Sequence, residues 1–132
     1  MSAFNLAQFQ EAAVQHIVGR LRDKGGSRRM LLADEVGLGK TVVARGVIEK
    51  LLERRRSPLT VIYLCSNAEI AEQNRIKLDP NSRRPIGRVT ELAMERPGKD
   101  AELTLYSFTP GTSLSEGTGL AWERRLLMYL LY

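Results

Sequence analysis

Along the first stretch of the chain, Leu6, Phe9, Ala13, Ile17 and Leu21 recur three or four residues apart. That spacing puts them on one face and predicts an amphipathic helix from Asn5 to Lys24. Gly25-Gly26-Ser27 ends it, since glycine adopts the left-handed turn that closes a helix. The pattern then changes. Met30-Leu31-Leu32-Ala33 is a short unbroken apolar run, which predicts a buried strand. From Lys40 to Arg56 the helical period returns, with Val43, Val47, Ile48, Leu51 and Leu52 on the apolar face. Arg54-Arg55-Arg56 then falls where the helix dipole favours cations.

Ser57-Pro58 breaks this helix, and Leu59 to Cys65 is β-branched and apolar throughout, a second predicted strand. Ser66 or Asn67 can cap a helix over Ala68 to Leu78, before a loop at Asp79-Pro80-Asn81-Ser82. Another helix is predicted from Gly87 to Arg96, stopped by Pro97-Gly98, and a third strand from Leu103 to Phe108. Thr109 to Gly119 reads as a Gly/Ser/Thr loop, and Leu120 to Tyr132 as an apolar helix. A helix followed by strand and helix in alternation predicts an α/β fold, a parallel sheet with helices on both faces.

The sharpest chemistry lies between the first strand and the second helix, in Ala33-Asp34-Glu35-Val36-Gly37-Leu38-Gly39-Lys40-Thr41. The general phosphate-loop pattern is G-x-x-x-x-G-K-[ST]. Gly39-Lys40-Thr41 fits it, while Asp34 stands at the position of the first glycine. Gly37 and Gly39 still let the backbone curl and aim N–H groups inward, while the next helix presents its positive end. The stretch Val36 to Thr41 is thus a candidate nucleotide cradle. Lys40 is placed to meet the β- and γ-phosphates, and Thr41 to offer its hydroxyl to Mg²⁺. A dinucleotide fold for hydride transfer is disfavoured, since its fingerprint has no Lys-Thr.

Composition changes this picture little. With 132 residues, 43% hydrophobic and 27% charged, the chain has the profile of one globular domain. The apolar runs are too short to cross a bilayer, and the N-terminus lacks the layout of a signal peptide. A single cysteine, Cys65, excludes an internal disulfide, and no Cys/His cluster suggests a metal centre. A cytoplasmic location and no membrane partner are expected. Net charge is +5 and the pI near 9.7, which suits a polyanionic partner and equally suits a solvated surface. Cys65 is expected to be a buried small hydrophobe, and His16 to be structural.

The departure at Asp34 is informative. Asp34-Glu35-Val36-Gly37-Leu38-Gly39-Lys40-Thr41 resembles motif I of the Swi/Snf-like branch of superfamily 2, DEAD-like helicases and translocases. The resemblance extends to both sides. Leu6 to Ala13 is similar to that family's adenine-recognition segment, with Gln10 at the matching glutamine. Ser66 to Gln73 is similar to motif Ia, although Ser66-Asn67 replaces the usual Pro-Thr start. Thr109-Pro110-Gly111-Thr112 resembles motif Ib. The resemblance implies a P-loop NTPase of RecA-like, three-layer type. It is incomplete here, with about three parallel strands, forming one partial ATP-binding domain over 1–132. Within it, 1–27 is the adenine-recognition helix and 28–132 carries the P-loop strand and helix units. ATP and Mg²⁺ are the implied cofactors. Nucleic acid, DNA ahead of RNA, is the implied partner through Ser66, Asn67, Thr109, Pro110 and Gly111.

Hydrolysis in that family needs an acidic motif II on a later strand. Glu116 in a Gly/Ser loop and Glu123 beside Arg124-Arg125 do not supply it. A second RecA-like domain with its arginine finger is also missing from these residues. The chain is therefore expected to be the N-terminal part of a larger motor, binding nucleotide without turning it over and with no catalytic residue of its own. The first strand then lacks its usual neighbours, and self-association or irregular pairing is the expected consequence. Two other readings stay open: a small kinase-like P-loop enzyme, and a non-catalytic module that binds nucleic acid through its basic surface.

Overall fold

The computed structural model describes residues 6–53, 58–81, 87–90, 102–115 and 119–131. The chain divides into two compact units, Met1–Arg56 and Ser57–Tyr132, described in turn.

The first unit is built on two helices, α1 (Gln8–Arg22) and α2 (Lys40–Leu52). They run side by side in the same sense: Gln10 meets the start of α2, Val14 meets Gly46, and Arg22 donates to the Lys50 carbonyl at 3.0 Å. Val14, Val18, Val43 and Val47 form the buried seam, flanked by Leu6, Ala13, Ile17, Leu21, Leu32 and Leu51. The apolar stripe of α1 is thus centred on Val14 and Val18, a step round from the predicted one. Phe9, at one margin of the predicted stripe, is 54% exposed. Gly46 permits the close approach, because a Cβ there would lie 2.9 Å from Val14 Cγ2. His16 is exposed on the outer side of α1.

Met30–Ala33 does not form the predicted strand. It is irregular, with Leu32 tucked against the helix seam and Leu31 84% exposed. The physical reason is that a parallel strand exists only through its ladder. An apolar run supplies no hydrogen-bond partners of its own, and none pairs with it among the described residues.

The elements described in full in the second unit are the strands β1 (Leu59–Leu64) and β2 (Leu103–Phe108) and the helices α3 (Ala68–Leu78) and α4 (Ala121–Leu131). β1 and β2 pair in parallel, in register from Leu59↔Leu103 to Leu64↔Phe108. The described sheet has two strands where about three were expected. Parallel neighbours need a long crossover, and α3, which packs on the sheet, lies in it. Leu105, Tyr106, Ser107 and Phe108 are all buried, as in a strand covered on both sides. β1 alternates instead, with Ile62 and Leu64 57% and 72% exposed. Of the predicted helix at 87–96, Gly87 to Thr90 are described, and of these Val89 and Thr90 are helical. The remainder of it, Arg54–Arg56, Arg83-Arg84 and Glu116 lie outside the described residues.

Glu123 is fully buried at the start of α4. Its carboxylate accepts from the Leu120 N–H at 2.7 Å, the Ser115 hydroxyl at 3.0 Å and the Ser115 N–H at 3.2 Å. The Leu120 N–H, helped by Ser115 and the nearby Arg88 guanidinium, holds this carboxyl below the usual glutamate range. A lowered folded pKa contributes stability above the unfolded value of about 4.3, lost as pH falls through the folded one. Glu123→Gln is therefore expected to unfold more readily at neutral pH and to show a flatter acid limb in a pH-dependent melting series.

Candidate nucleotide site

The loop between Met30 and α2 takes the shape that its glycines allow. Gly37 has φ +93° and Gly39 φ +82°, both in the left-handed region open to glycine at little cost. A long hydrogen bond from the Leu38 N–H to the Glu35 carbonyl, 3.5 Å, closes the turn, and the Val43 N–H donates to the Gly39 carbonyl at 3.0 Å to start α2. Gly39 is the helix N-cap and has no side chain to satisfy the first-turn N–H groups. Such groups carry the positive end of the helix dipole and favour an anion.

Lys40 folds back over the loop. Its ammonium donates to the Asp34 and Glu35 carbonyls, each at 2.8 Å. An ammonium has three donors, so one remains for a further acceptor. Thr41 is half-buried in the first turn of α2, and Val36 and Leu38 are exposed on the loop, Val36 completely. Gln10 reaches the same place from α1: its Nε2 donates to the Leu38 carbonyl at 3.2 Å, and its Oε1 accepts from the Ala7 N–H at 3.0 Å. The structure thus gathers Gln10, Val36, Gly37, Leu38, Gly39, Lys40 and Thr41 around one curled loop. A Cβ on Gly37 would meet nothing within 4 Å, so the loop is open there. A cation set against a glycine curl, ahead of an uncapped helix start, fits a phosphate group.

The residues expected to touch nucleic acid come to one end of the second unit. Ser66 and Asn67 follow β1, and Thr109, Pro110 and Gly111 follow β2, at the carboxyl ends of paired strands where α/β sheets present ligand sites. Several of their groups are already engaged. Asn67 Oδ1 caps α3 by accepting from the Ile70 N–H at 3.1 Å. Thr109 is buried, its Oγ1 lies 2.9 Å from Thr112 Oγ1, and its carbonyl accepts from Ser113 Oγ at 2.6 Å. Its hydroxyl therefore holds the turn together. Ser66, Pro110 and Gly111 are exposed.

Cys65, expected to be buried, is half-exposed. The Asn67 N–H, the Tyr63 hydroxyl and the Ser66 N–H hold its thiol below the ordinary range. Burial pushes Tyr63 up, partly opposed by Asn74 Nδ2, which donates to its hydroxyl at 2.9 Å. Sequence reasoning placed Ala7 and Thr112 inside resembling motifs without their bonding roles, and missed the structural role of the Glu123 carboxylate. Only Glu123 had a visible signal, since it lies three residues after the helix-opening Leu120.

Helix, glycine loop and helix, followed by a parallel β-α-β unit, make a mixed α/β chain consistent with a partial RecA-like fold, of the superfamily 2 helicase-like class. The chain belongs to the family described as type III restriction enzyme, res subunit, which matches residues 3–104. That family implies ATP binding. No curated protein and no solved structure matches the chain. No helix among the described residues is long and apolar enough to cross a membrane.

Proposed function

We propose that this chain is the ATP-binding part of a nucleic-acid-dependent ATPase, a helicase or translocase. The observation that carries the reading is the Lys40 ammonium bedded on the curled loop at 2.8 Å from two carbonyls. In this reading the loop Val36 to Thr41 holds the phosphates, with Lys40 against the β- and γ-groups and the Thr41 hydroxyl toward Mg²⁺. Bound there, the metal would neutralise phosphate charge. Gln10 lies beside the nucleotide. The form Asp34-Glu35-Val36-Gly37-Leu38-Gly39-Lys40-Thr41 favours the Swi/Snf-like branch. DNA is the proposed nucleic acid, in keeping with a restriction-enzyme family, and Ser66, Asn67, Thr109, Pro110 and Gly111 are its proposed backbone contacts.

These 132 residues contain no second acidic box, so the chain is expected to bind MgATP at about 10 μM to 1 mM without turning it over. Equilibrium dialysis with labelled ATP, beside a phosphate-release assay, tests this. Binding with no steady release is expected, and steady release by the purified chain overturns it. The net charge of +5 favours a second reading, a non-catalytic nucleic-acid module. A steep salt dependence for DNA binding, without ATP affinity, would select that one.

Self-association is proposed with it. An uncharged β1 with exposed Ile62 and Leu64 offers strand and face to a second copy. Sedimentation velocity over a concentration series should show a rising mass, and a concentration-independent monomer contradicts this.

A further inference from the structure

We propose that the basic end of the first unit, residues 20–29, grips the phosphate backbone of duplex nucleic acid, apart from the contacts proposed on the second unit. This goes beyond the nucleotide-site reading and does not depend on it. The charge of the chain is divided unevenly. Met1–Arg56 holds eleven basic and six acidic residues, whereas Ser57–Tyr132 holds nine of each. The whole net charge of +5 therefore belongs to the first unit. Within it, residues 20–29 carry Arg20, Arg22, Lys24, Arg28 and Arg29 against one acid, Asp23.

The dipole of α1 accounts for Arg20 and Arg22, which lie in its last turn, and Arg22 also donates to the Lys50 carbonyl at 3.0 Å. It does not account for Lys24, Arg28 and Arg29, which follow the helix. Arg20, Lys24, Arg28 and Arg29 are exposed and have no hydrogen-bond or ion-pair partner among the described residues. Asp23 is engaged in the turn itself, where its carboxylate accepts from the Gly25 N–H at 3.0 Å. Like charges gathered in this way repel one another, and a polyanion relieves the repulsion.

The make-up of the segment selects the partner. Its one large apolar side chain, Leu21, packs on the helix seam, so residues 20–29 offer no apolar anchor of the kind that carries protein–protein affinity. They contain no aromatic ring on which the bases of a single strand could stack. What remains is arginine-rich charge, which binds phosphate oxygens without reading sequence. Arg22 stands twelve residues along α1 from Gln10, roughly 18 Å, so this end is set apart from the glycine loop.

The test is the salt dependence of binding to a fluorescent DNA duplex of arbitrary sequence, measured by anisotropy on the full chain. Each phosphate neutralised contributes about 0.9 to the slope of log affinity against log salt concentration. Arg28→Gln/Arg29→Gln should lower that slope by about 1.8 and weaken binding near 0.1 M salt by about tenfold or more. Lys77→Gln/Arg125→Gln removes the same charge from exposed positions of the second unit and should leave the slope unchanged. Arg28→Lys/Arg29→Lys keeps the charge and should keep the slope. Equal losses in the two glutamine variants overturn the proposal, because net charge alone then drives binding. So does an unaltered chain that binds no duplex at low salt, or one that binds polyglutamate through Arg28 and Arg29 as tightly as the duplex. Failure of the chain to bind ATP would strike the nucleotide site and leave the slope change standing.

Discussion

Lys40→Met is expected to lower affinity for MgATP and for tripolyphosphate about a hundredfold, with little change in the unfolding midpoint. The magnitude follows from the bonds involved. A hydrogen bond to a charged group contributes about 1.5–3 kcal/mol, and an ammonium facing two phosphates makes at least one such bond beyond its Coulomb attraction. The small effect on folding follows from exposure: the Lys40 bonds to Asp34 and Glu35 lie at the surface, where water can replace them. Lys40→Arg should not rescue, because a planar guanidinium is longer and cannot bed on the same two carbonyls. Parallel titrations and thermal melts of the three proteins check this. An unchanged affinity in Lys40→Met removes the lysine from the site.

Gly39→Ala is expected to be the second large loss, and larger than Gly37→Ala. Both glycines have positive φ, so each alanine carries a backbone cost of about 1–2 kcal/mol. Gly39 adds a collision, since its new methyl would stand 2.7 Å from Gln10 Nε2. The Gln10 amide must then leave the Leu38 carbonyl. Gly39→Ala should weaken tripolyphosphate by about tenfold or more beyond Gly37→Ala, combining loop strain with the lost bond. Equal losses in the two variants would mean that the contact above Gly39 has no bearing on the loop.

Much of this architecture was legible in the residues themselves. The helix over Ala68–Leu78 and the strand over Leu103–Phe108 have the bounds predicted for them. The helix is announced by its Asn67 cap and the strand by its apolar run, signals that a sequence displays directly. Met30–Ala33 was not legible in the same way. Its apolar run is that of a buried strand, but strand identity is conferred by neighbouring backbones, and none pairs with it among the described residues. The α1 stripe was legible in Leu6, Ala13, Ile17 and Leu21, which flank the seam, while Val14 and Val18 at its centre were not picked out and Phe9 is exposed.

The candidate site divides along the same line. Lys40 and its two glycines are visible as a motif, whereas the carbonyls of Asp34 and Glu35 that hold the ammonium carry no sequence signal. Gln10 shows only that an amide is available, not that it bonds to Leu38. Glu123 reads as a surface acid beside Arg124 and Arg125, yet it is buried by the loop whose N–H groups it accepts.

The most direct test of the central claim is an amide-resolved NMR titration of the full chain with tripolyphosphate and then MgATP. The account predicts that the largest shifts fall on the N–H groups of Val36, Gly37, Leu38, Gly39, Lys40 and Thr41, and saturate in the micromolar to millimolar range. Saturating shifts confined to other residues, with those six amides unmoved, would contradict it.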